Sequence, residues 1–419
     1  MKPGGRPDSQ GDGVAGSEVT ARWRDALVDL VAGDRLAQPD EFPAVVNAAV
    51  APLAVEATMY VVDQEQRRLH PVPLPGKDGP EPLTVDATLA GRAFMHVRPM
   101  SSPAGHGHPA RLWMPLLDGN ERLGVLDIVV HDAAVDIDDE EFRSACDLFC
   151  QTVGHLFATK VPYGDALVTA KRTRRMSEAS ELVWRLLPPL TFAARRVVIA
   201  AVLEPCYEVG GDGFDYAVDD STAFFAVFDT AGHDLRSGLG TATVLSAIRA
   251  ARTDGAGLYA MARAADEALV RYLPELRFTT AVLATLDLDT GLLRYLNAGH
   301  PAPMLLRNGR VVARLNRGRR LPLGLNDQHI EIAEEWLERG DRLLLFTDGV
   351  TEARRAGQPF GEVRLMDLVR QHTTAGLAAP ETLRRLCHTV LDYSDGPPAD
   401  DATLLFVEWS EKAADRMTP

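Results

Sequence analysis

The chain has little cysteine, no excess of basic charge and no long apolar run, and each shortage closes off a class of function. Only Cys146, Cys150, Cys206 and Cys387 occur in 419 residues, too few and too scattered for a disulfide framework. Cys146 and Cys150 stand four apart in a helical pattern and read as buried thiols on an apolar face. Lys and Arg number 44 against 59 Asp and Glu, a formal net charge of -15. That balance argues against a nucleic-acid backbone or an anionic membrane as partner, since both need a basic patch. No stretch approaches the roughly 18 apolar residues of a membrane span, and the first residues lack the layout of a signal peptide. The expectation is a cytoplasmic protein.

What is present is enough apolar content, 46%, for more than one core, and a prior of about 150 residues per domain predicts two or three domains. Residues 1–17, rich in Gly, Pro, Ser and Asp, read as a disordered leader. A first globular unit spans 18–160, with helices near 19–32 and 40–54, a strand near 57–62, a Pro/Gly-rich loop from 71 to 83, and strands near 111–116 and 122–130. Its closing helix places Phe142, Cys146, Phe149, Val153 and Leu156/Phe157 on one face, with Asp138 or Asp139 as its cap. A helical linker over 161–190 carries a stripe of Met176, Ala179, Val183 and Leu186/Leu187 up to Pro188-Pro189. That stripe suits packing on its own domain or on a second copy of the chain, so a homodimer is one expectation.

The first unit resembles a GAF sensor domain through Thr88-Leu89-Ala90-Gly91-Arg92-Ala93-Phe94, Leu112-Trp113-Met114-Pro115-Leu116 and Arg122-Leu123-Gly124-Val125-Leu126-Asp127-Ile128. The resemblance implies a strand pair that floors a pocket for a small-molecule ligand of unknown identity. His106 and His108 lie in a Gly/His/Pro loop without a further ligand cluster nearby, and read as solvated.

From 191 to 410 the pattern turns to short β-rich runs, near 196–203, 223–229, 279–287, 292–297, 302–306, 329–334, 341–347 and 402–408. Helices are inserted near 236–252, 257–272, 362–371 and 380–393, and a tail follows over 411–419. Hairpin signals such as Asp287-Leu288-Asp289-Thr290-Gly291 and Arg307-Asn308-Gly309-Arg310 favour antiparallel sheets. Four turns at the ends of apolar runs carry aspartates: Gly210-Gly211-Asp212-Gly213-Phe214-Asp215, Asp229-Thr230-Ala231-Gly232-His233, Thr347-Asp348-Gly349 and Asp400-Asp401-Ala402-Thr403. Carboxylates gathered on rigid strand ends suit hard divalent cations, which take oxygen ligands and keep several waters. A single Asp before Gly is usually only a turn former; four in this arrangement point to a hydrated site for two metals.

With Leu186-Leu187-Pro188, Phe278-Thr279-Thr280-Ala281, Asn297-Ala298-Gly299-His300-Pro301, Leu321-Pro322-Leu323-Gly324 and Phe346-Thr347-Asp348-Gly349 in the same order, residues 185–409 resemble the catalytic domain of bacterial metal-dependent serine/threonine protein phosphatases. These are the PPM family, in the branch named for stage II sporulation protein E. The resemblance implies an α+β fold with an α-β-β-α sandwich of two mainly antiparallel sheets flanked by helices. It also implies two Mn²⁺ or Mg²⁺ ions, held by Asp212, Asp229, the Thr230 carbonyl, Asp348 and Asp400. Water activated by the ions would attack phosphorus in line with the departing serine or threonine oxygen, and the lack of a Cys-x5-Arg loop fits a route without a phosphoenzyme. His233 is a candidate for protonating the leaving oxygen or orienting water, and equally for stabilising its turn; Arg236 is a candidate phosphate clamp, and His300 reads as structural. Asp215 and Asp401 read as outer hydrogen-bond acceptors or surface acids.

The implied substrate is a phosphorylated anti-anti-sigma-type protein. Gly213 and Asp234 depart from the pattern, the latter where a second glycine is usual. An acid there would tighten cation binding or repel phosphate, so a catalytically weakened scaffold that only binds partners is the alternative, and a phosphatase of small metabolites is a third.

Overall fold

Alternation along Phe224-Phe225-Ala226-Val227-Phe228 sends neighbouring side chains to opposite faces of a strand, and both faces are apolar. A strand of this kind must be covered on each side. The computed structural model describes residues 12–105, 107–205, 207–208, 210–232, 234–276, 278–329, 331–374, 376–396, 400–412 and 414–417. It divides into two units, one ending at Thr173 and one over Arg174–Met417.

In the second unit, one sheet runs in the order Arg319–Arg320, Leu292–Ala298, Thr279–Asp287, Thr222–Thr230, Asp212–Val218, with Ala333–Trp336 also on Leu292–Ala298. The other runs Arg310–Arg314, Met304–Arg307, Arg342–Phe346, Ala402–Trp409, Val197–Glu204, Thr191–Ala194. Pairing is antiparallel except for Arg319–Arg320, which is parallel to its neighbour. Phe225 and Val227 join Val197, Ile199, Phe214, Val282, Leu343, Leu345 and Leu405 in a core between the sheets. Phe224 and Phe228 face the helices Leu235–Thr253 and Leu258–Tyr272. The helices Gly361–Thr374 and Ala379–Tyr393 cover the far side of the second sheet through Leu365, Val369, Leu383 and Leu386. This is the four-layer sandwich expected, and the hairpin signals lie where it turns. Asn308 and Gly309 take positive φ of 51° and 74°, as a two-residue hairpin requires.

In the first unit a six-stranded antiparallel sheet runs Leu83–Thr84, Arg68–Pro71, Val55–Val62, Glu121–Val130, Ala110–Asp118, Met100–Ser102. The helices Asp12–Asp34, Phe42–Val50 and Glu140–Lys160 share one core with this sheet, including Trp23, Phe42, Met59, Leu112, Ile128, Phe149 and Phe157. Asp139 caps the last helix, accepting from the Phe142 N–H at 2.9 Å. On the other face the helix Leu89–His96, capped by Thr88, packs Phe94 with Tyr60, Trp113 and Val125.

Several expectations shift. The first helix begins at Asp12, so the expected leader is helical over 12–17; once Trp23, Ala26 and Leu30 are anchored, each residue added to the helix gains a hydrogen bond without a new nucleus. Residues 1–11 lie outside the described residues. The segment 161–190 is not one linker helix: Asp165–Ala170 belongs to the first unit, and Glu178–Leu186 to the second. Its stripe packs locally, Val183 on Leu203 and Met176 on Tyr207, because a half-buried helix finds apolar cover within its own unit. The expected tail contributes Met417 to the core under the helix Ala379–Tyr393. No helix among the described residues is long and apolar enough to cross a membrane. Cys146, Cys150 and Cys387 are buried and outside any disulfide, and burial raises the pKa of the Cys146 and Cys150 thiols; Cys206 and His106 lie outside the described residues, while His108 is exposed.

One buried ion pair anchors the loop after Arg319–Arg320. Arg320 Nη2 lies 2.6 Å from Asp266, both side chains 1% exposed, and the Gly324 N–H donates to the same carboxylate at 2.8 Å. Replacing Asp266→Ala strands a buried guanidinium, so the second unit is expected to lose about 3–5 kcal/mol. Urea denaturation of the full chain with peptide-resolved hydrogen exchange would show this as earlier unfolding of 279–346, whereas a loss below about 1 kcal/mol would mean water satisfies Arg320.

Candidate metal centre

Register brings the acids together. Asp212 opens its strand directly opposite Asp229, near the end of Thr222–Thr230, and Asp229 is in turn opposite Thr280. In the other sheet, Arg342–Phe346 ends against Ala402–Trp409 at the pair Phe346 and Leu404. Asp348 therefore opens the short helix Asp348–Glu352 beside Asp400, which precedes the partner strand. The two sheet ends are joined by hydroxyls: Thr347 Oγ1 and Thr403 Oγ1 each donate to Asp212 Oδ2 at 2.7 Å.

This crowding sets the electrostatics. Burial pushes the Asp212 pKa well up, and the charges of Asp401 and Asp229 push it further, against the two threonine hydroxyls. Asp229 is raised to about 7, by burial first and then by Asp348 and Asp400, with the Thr280 hydroxyl opposing. Asp400, at the exposed rim, is raised by desolvation, opposed by the Asp401 N–H and reinforced by Asp348. Carboxylates held at such a cost suit added positive charge. Among the described residues no three His, Cys, Asp or Glu side chains enclose a single ion. The donors here are carboxylate oxygens, and hard divalent cations take such ligands one or two at a time while keeping several of their waters. The residues that would hold them are Asp212, Asp229, Asp348 and Asp400.

The remaining candidates separate. Thr230 is buried, its hydroxyl 2.9 Å from those of Thr241 and Thr279. A Cβ on Gly211 would stand 2.2 Å from the Thr230 carbonyl oxygen, so that carbonyl lies against the turn carrying Asp212, beside the acids. Here the glycine admits a carbonyl. Asp215, on the opposite face of the strand, is 1% exposed and paired with Arg249 at 2.6 Å and Arg252 at 2.7 Å; it belongs to the packing of the helix Leu235–Thr253. Asp234 caps that helix, accepting from the Arg236 and Ser237 N–H groups at 2.9 and 3.2 Å. Gly213 is required by packing, since a Cβ there would meet Thr241 Cγ2 at 2.7 Å. Arg236 is exposed, 3.6 Å from Glu275, and His233 lies outside the described residues. His300 is buried, its Nδ1 2.8 Å from Thr280 Oγ1, and burial lowers its pKa to about 3, so it stays neutral.

Sequence reasoning missed Thr280, Thr347 and Thr403 as groups that orient the acids. The signal available was a hydroxyl residue next to, or opposite, each acidic turn.

These shifts carry a sign. A carboxyl whose folded pKa is raised stabilises the fold below its unfolded pKa, about 4, and that contribution is lost as pH rises through the folded pKa, here about 7 for Asp229. Metal-free protein should therefore lose urea resistance in the second unit from about pH 4 to about pH 7, less so in Asp229→Asn, and saturating Mn²⁺ should flatten the slope. A slope identical with and without Mn²⁺ would show that no cation neutralises these acids.

A family model described as Stage II sporulation protein E (SpoIIE) matches residues 219–410, a segment that includes Asp229, Asp348 and Asp400. The chain is 23% identical over 208 residues to the phosphoserine phosphatase RsbU of Bacillus subtilis, covering 49% of this chain and 62% of that protein. It is 26% identical over 177 residues to the phosphoserine phosphatase RsbP of the same organism, covering 41% and 42%, and so spans less than two thirds of either relative. Among solved structures, the SiaA-PP2C domain of Pseudomonas aeruginosa is similar at 25% identity and a TM-score of 0.46, over 55% of this chain and 94% of that one. The second unit of this chain thus contains the segment that is similar to the SpoIIE family model and to these two phosphoserine phosphatases.

Proposed function

We propose that the chain is a divalent-cation-dependent protein phosphatase that removes phosphate from serine or threonine of a regulatory protein, with its first unit acting as a GAF-like sensor. The observation that carries this reading is the convergence of Asp212, Asp229, Asp348 and Asp400 at the ends of two packed sheets, where burial first and the neighbouring acids second raise the pKa of Asp212, Asp229 and Asp400. Bound there, two Mn²⁺ or Mg²⁺ ions would supply charge neutralisation for a phosphate and acidification of water near neutral pH. The chain's own residues hold that chemistry in place. Thr347 and Thr403 fix one oxygen of Asp212, strand pairing fixes Asp229 against Asp212, and the apolar core behind them keeps the ligands rigid. The substrate in this reading is a phosphorylated anti-anti-sigma-type protein, the location is cytoplasmic, and the first unit takes a small-molecule ligand.

The weakened-scaffold alternative was motivated by Asp234, and Asp234 is spent on a helix N-terminus. The direct test is Asp229→Asn. It keeps the side-chain shape and removes a charge, so Mn²⁺-dependent hydrolysis of a phosphoprotein should fall at least about 100-fold with the circular dichroism spectrum unchanged. Full activity in that variant would remove the proposed centre.

Selectivity for a protein substrate needs a surface beside the cleft. The turn formed by Arg354–Arg355 and Gln358–Pro359 follows the Asp348–Glu352 helix closely, and both arginines are exposed. Replacing both with alanine should raise KM for a phosphorylated anti-anti-sigma protein about tenfold, the scale of one lost charged contact, while turnover of a small aryl phosphate stays level. Equal losses on the two substrates, or faster turnover of a phosphorylated metabolite than of any phosphoprotein, would contradict the protein-phosphatase reading.

A further inference from the structure

Asp401 stands next to Asp400 in sequence, yet its surroundings differ from those of the other acids. It is 4% exposed, and one oxygen, Oδ2, accepts from three successive backbone N–H groups: Gly210 at 2.8 Å, Gly211 at 2.8 Å and Asp212 at 3.2 Å. Consecutive amides converging on one anionic oxygen compensate its charge without a cation. The other acids are served otherwise: Asp212 by two hydroxyls, Asp400 by one N–H, and Asp229 by a long 3.4 Å contact from Thr280.

The partners of Asp401 come from the opposite sheet. Residues 210–212 lead into Asp212–Val218, whereas Asp401 leads into Ala402–Trp409. Three bonds therefore tie the start of a strand in one sheet to the start of a strand in the other, and they hold the backbone on which Asp212 sits. The hydroxyls of Thr347 and Thr403 reach Asp212 from the same side, so the turn is gripped by backbone and side chain together.

The geometry points to Asp401 as a positioning residue of the metal centre: its Oδ2 is spent on the Gly210-Gly211-Asp212 backbone, and it holds Asp212 in place for a divalent cation without ligating the cation itself. This inference rests on the metal-centre reading proposed above. It separates two adjacent acids by role. Both acids add charge beside Asp229, but Asp401 also contributes, through Oδ2, a backbone acceptor that an asparagine carbonyl can replace.

The test compares Asp401→Asn, Asp401→Ala and Asp400→Asn in the full chain, reading Mn²⁺ affinity by calorimetry and hydrogen exchange of the peptide covering 210–214 with EDTA present. Asp401→Asn should keep the slow exchange of these amides and bind Mn²⁺ within about threefold of the unaltered chain. Asp401→Ala should expose the amides and weaken Mn²⁺ binding about 10–100-fold, the range for groups that orient ligands. Asp400→Asn should weaken Mn²⁺ binding with the amides still protected. A loss in Asp401→Asn equal to that in Asp400→Asn would make Asp401 a ligand and overturn the inference, as would an Asp401→Ala variant unchanged in both readouts. Should the alanine variant not fold, the asparagine comparison decides alone. If the unaltered chain binds no Mn²⁺, the metal reading and this role both fall, whereas Mn²⁺ binding without phosphoprotein hydrolysis would sink only the proposed activity.

Discussion

Like charges gathered in a low-dielectric cleft repel, and the strand ends of the second unit are built to hold carboxylates together against that repulsion. Two unit charges about 4 Å apart cost about 4 kcal/mol at the effective dielectric of a partly buried site. Surface loops would move apart under such a load. Here the acids are fixed by cross-strand pairing of Asp212 with Asp229 and by an inter-sheet core of Phe214, Phe225, Leu345 and Leu405 directly behind them. The same packing that stabilises the sandwich therefore keeps the repulsion in place, and a pair of divalent cations is the natural relief.

How much of this is legible in the sequence depends on whether the signal is local. The Asp turns are legible because each acid follows or precedes an apolar run, and the runs themselves mark most strands of both sheets. Asp212–Val218 is not, since its Asp-Gly-Phe-Asp sequence has low strand propensity; it becomes a strand because Thr222–Thr230 pairs with it along its length. The threonines that grip Asp212 lie 135 and 191 residues away from it in sequence, a separation at which only the fold can reveal the contact. Asp400 and Asp401 cannot be told apart by residue type. Their difference arises from which backbone each one meets. The short strands Arg68–Pro71, Leu83–Thr84 and Met100–Ser102 are edge or next-to-edge pieces too brief to carry a period.

The first unit carries its own buried polarity. Asp127 is 1% exposed and its pKa is raised to about 6, by burial, with Arg111 opposing. Arg111 lies 3.2 Å from it and also over the Trp113 ring, while Arg122 lies over Phe94. The sheet face covered by the helix Leu89–His96 thus packs aromatic rings with arginines stacked on them, an arrangement that combines apolar area with fixed charge.

The departures from the family pattern become intelligible once every acid near the cleft is followed to its partner. Asp215 is neutralised by Arg249 and Arg252, on the far side of its strand. Asp234 is compensated at a helix N-terminus, where backbone N–H groups and the helix dipole favour negative charge, so its presence in place of glycine adds a cap and little field at the cleft. Asp401 is compensated by the backbone amides of 210–212. Setting Asp215 and Asp234 aside leaves Asp212, Asp229, Asp348 and Asp400 acting on one another beyond the effect of burial, with the charge of Asp401 adding to the pKa of Asp212, Asp229 and Asp400. The four proposed ligands, when ionised, carry a combined charge equal in magnitude to that of two divalent cations, and the altered turn around Asp234 takes none of them away, because that acid is held at a helix N-terminus.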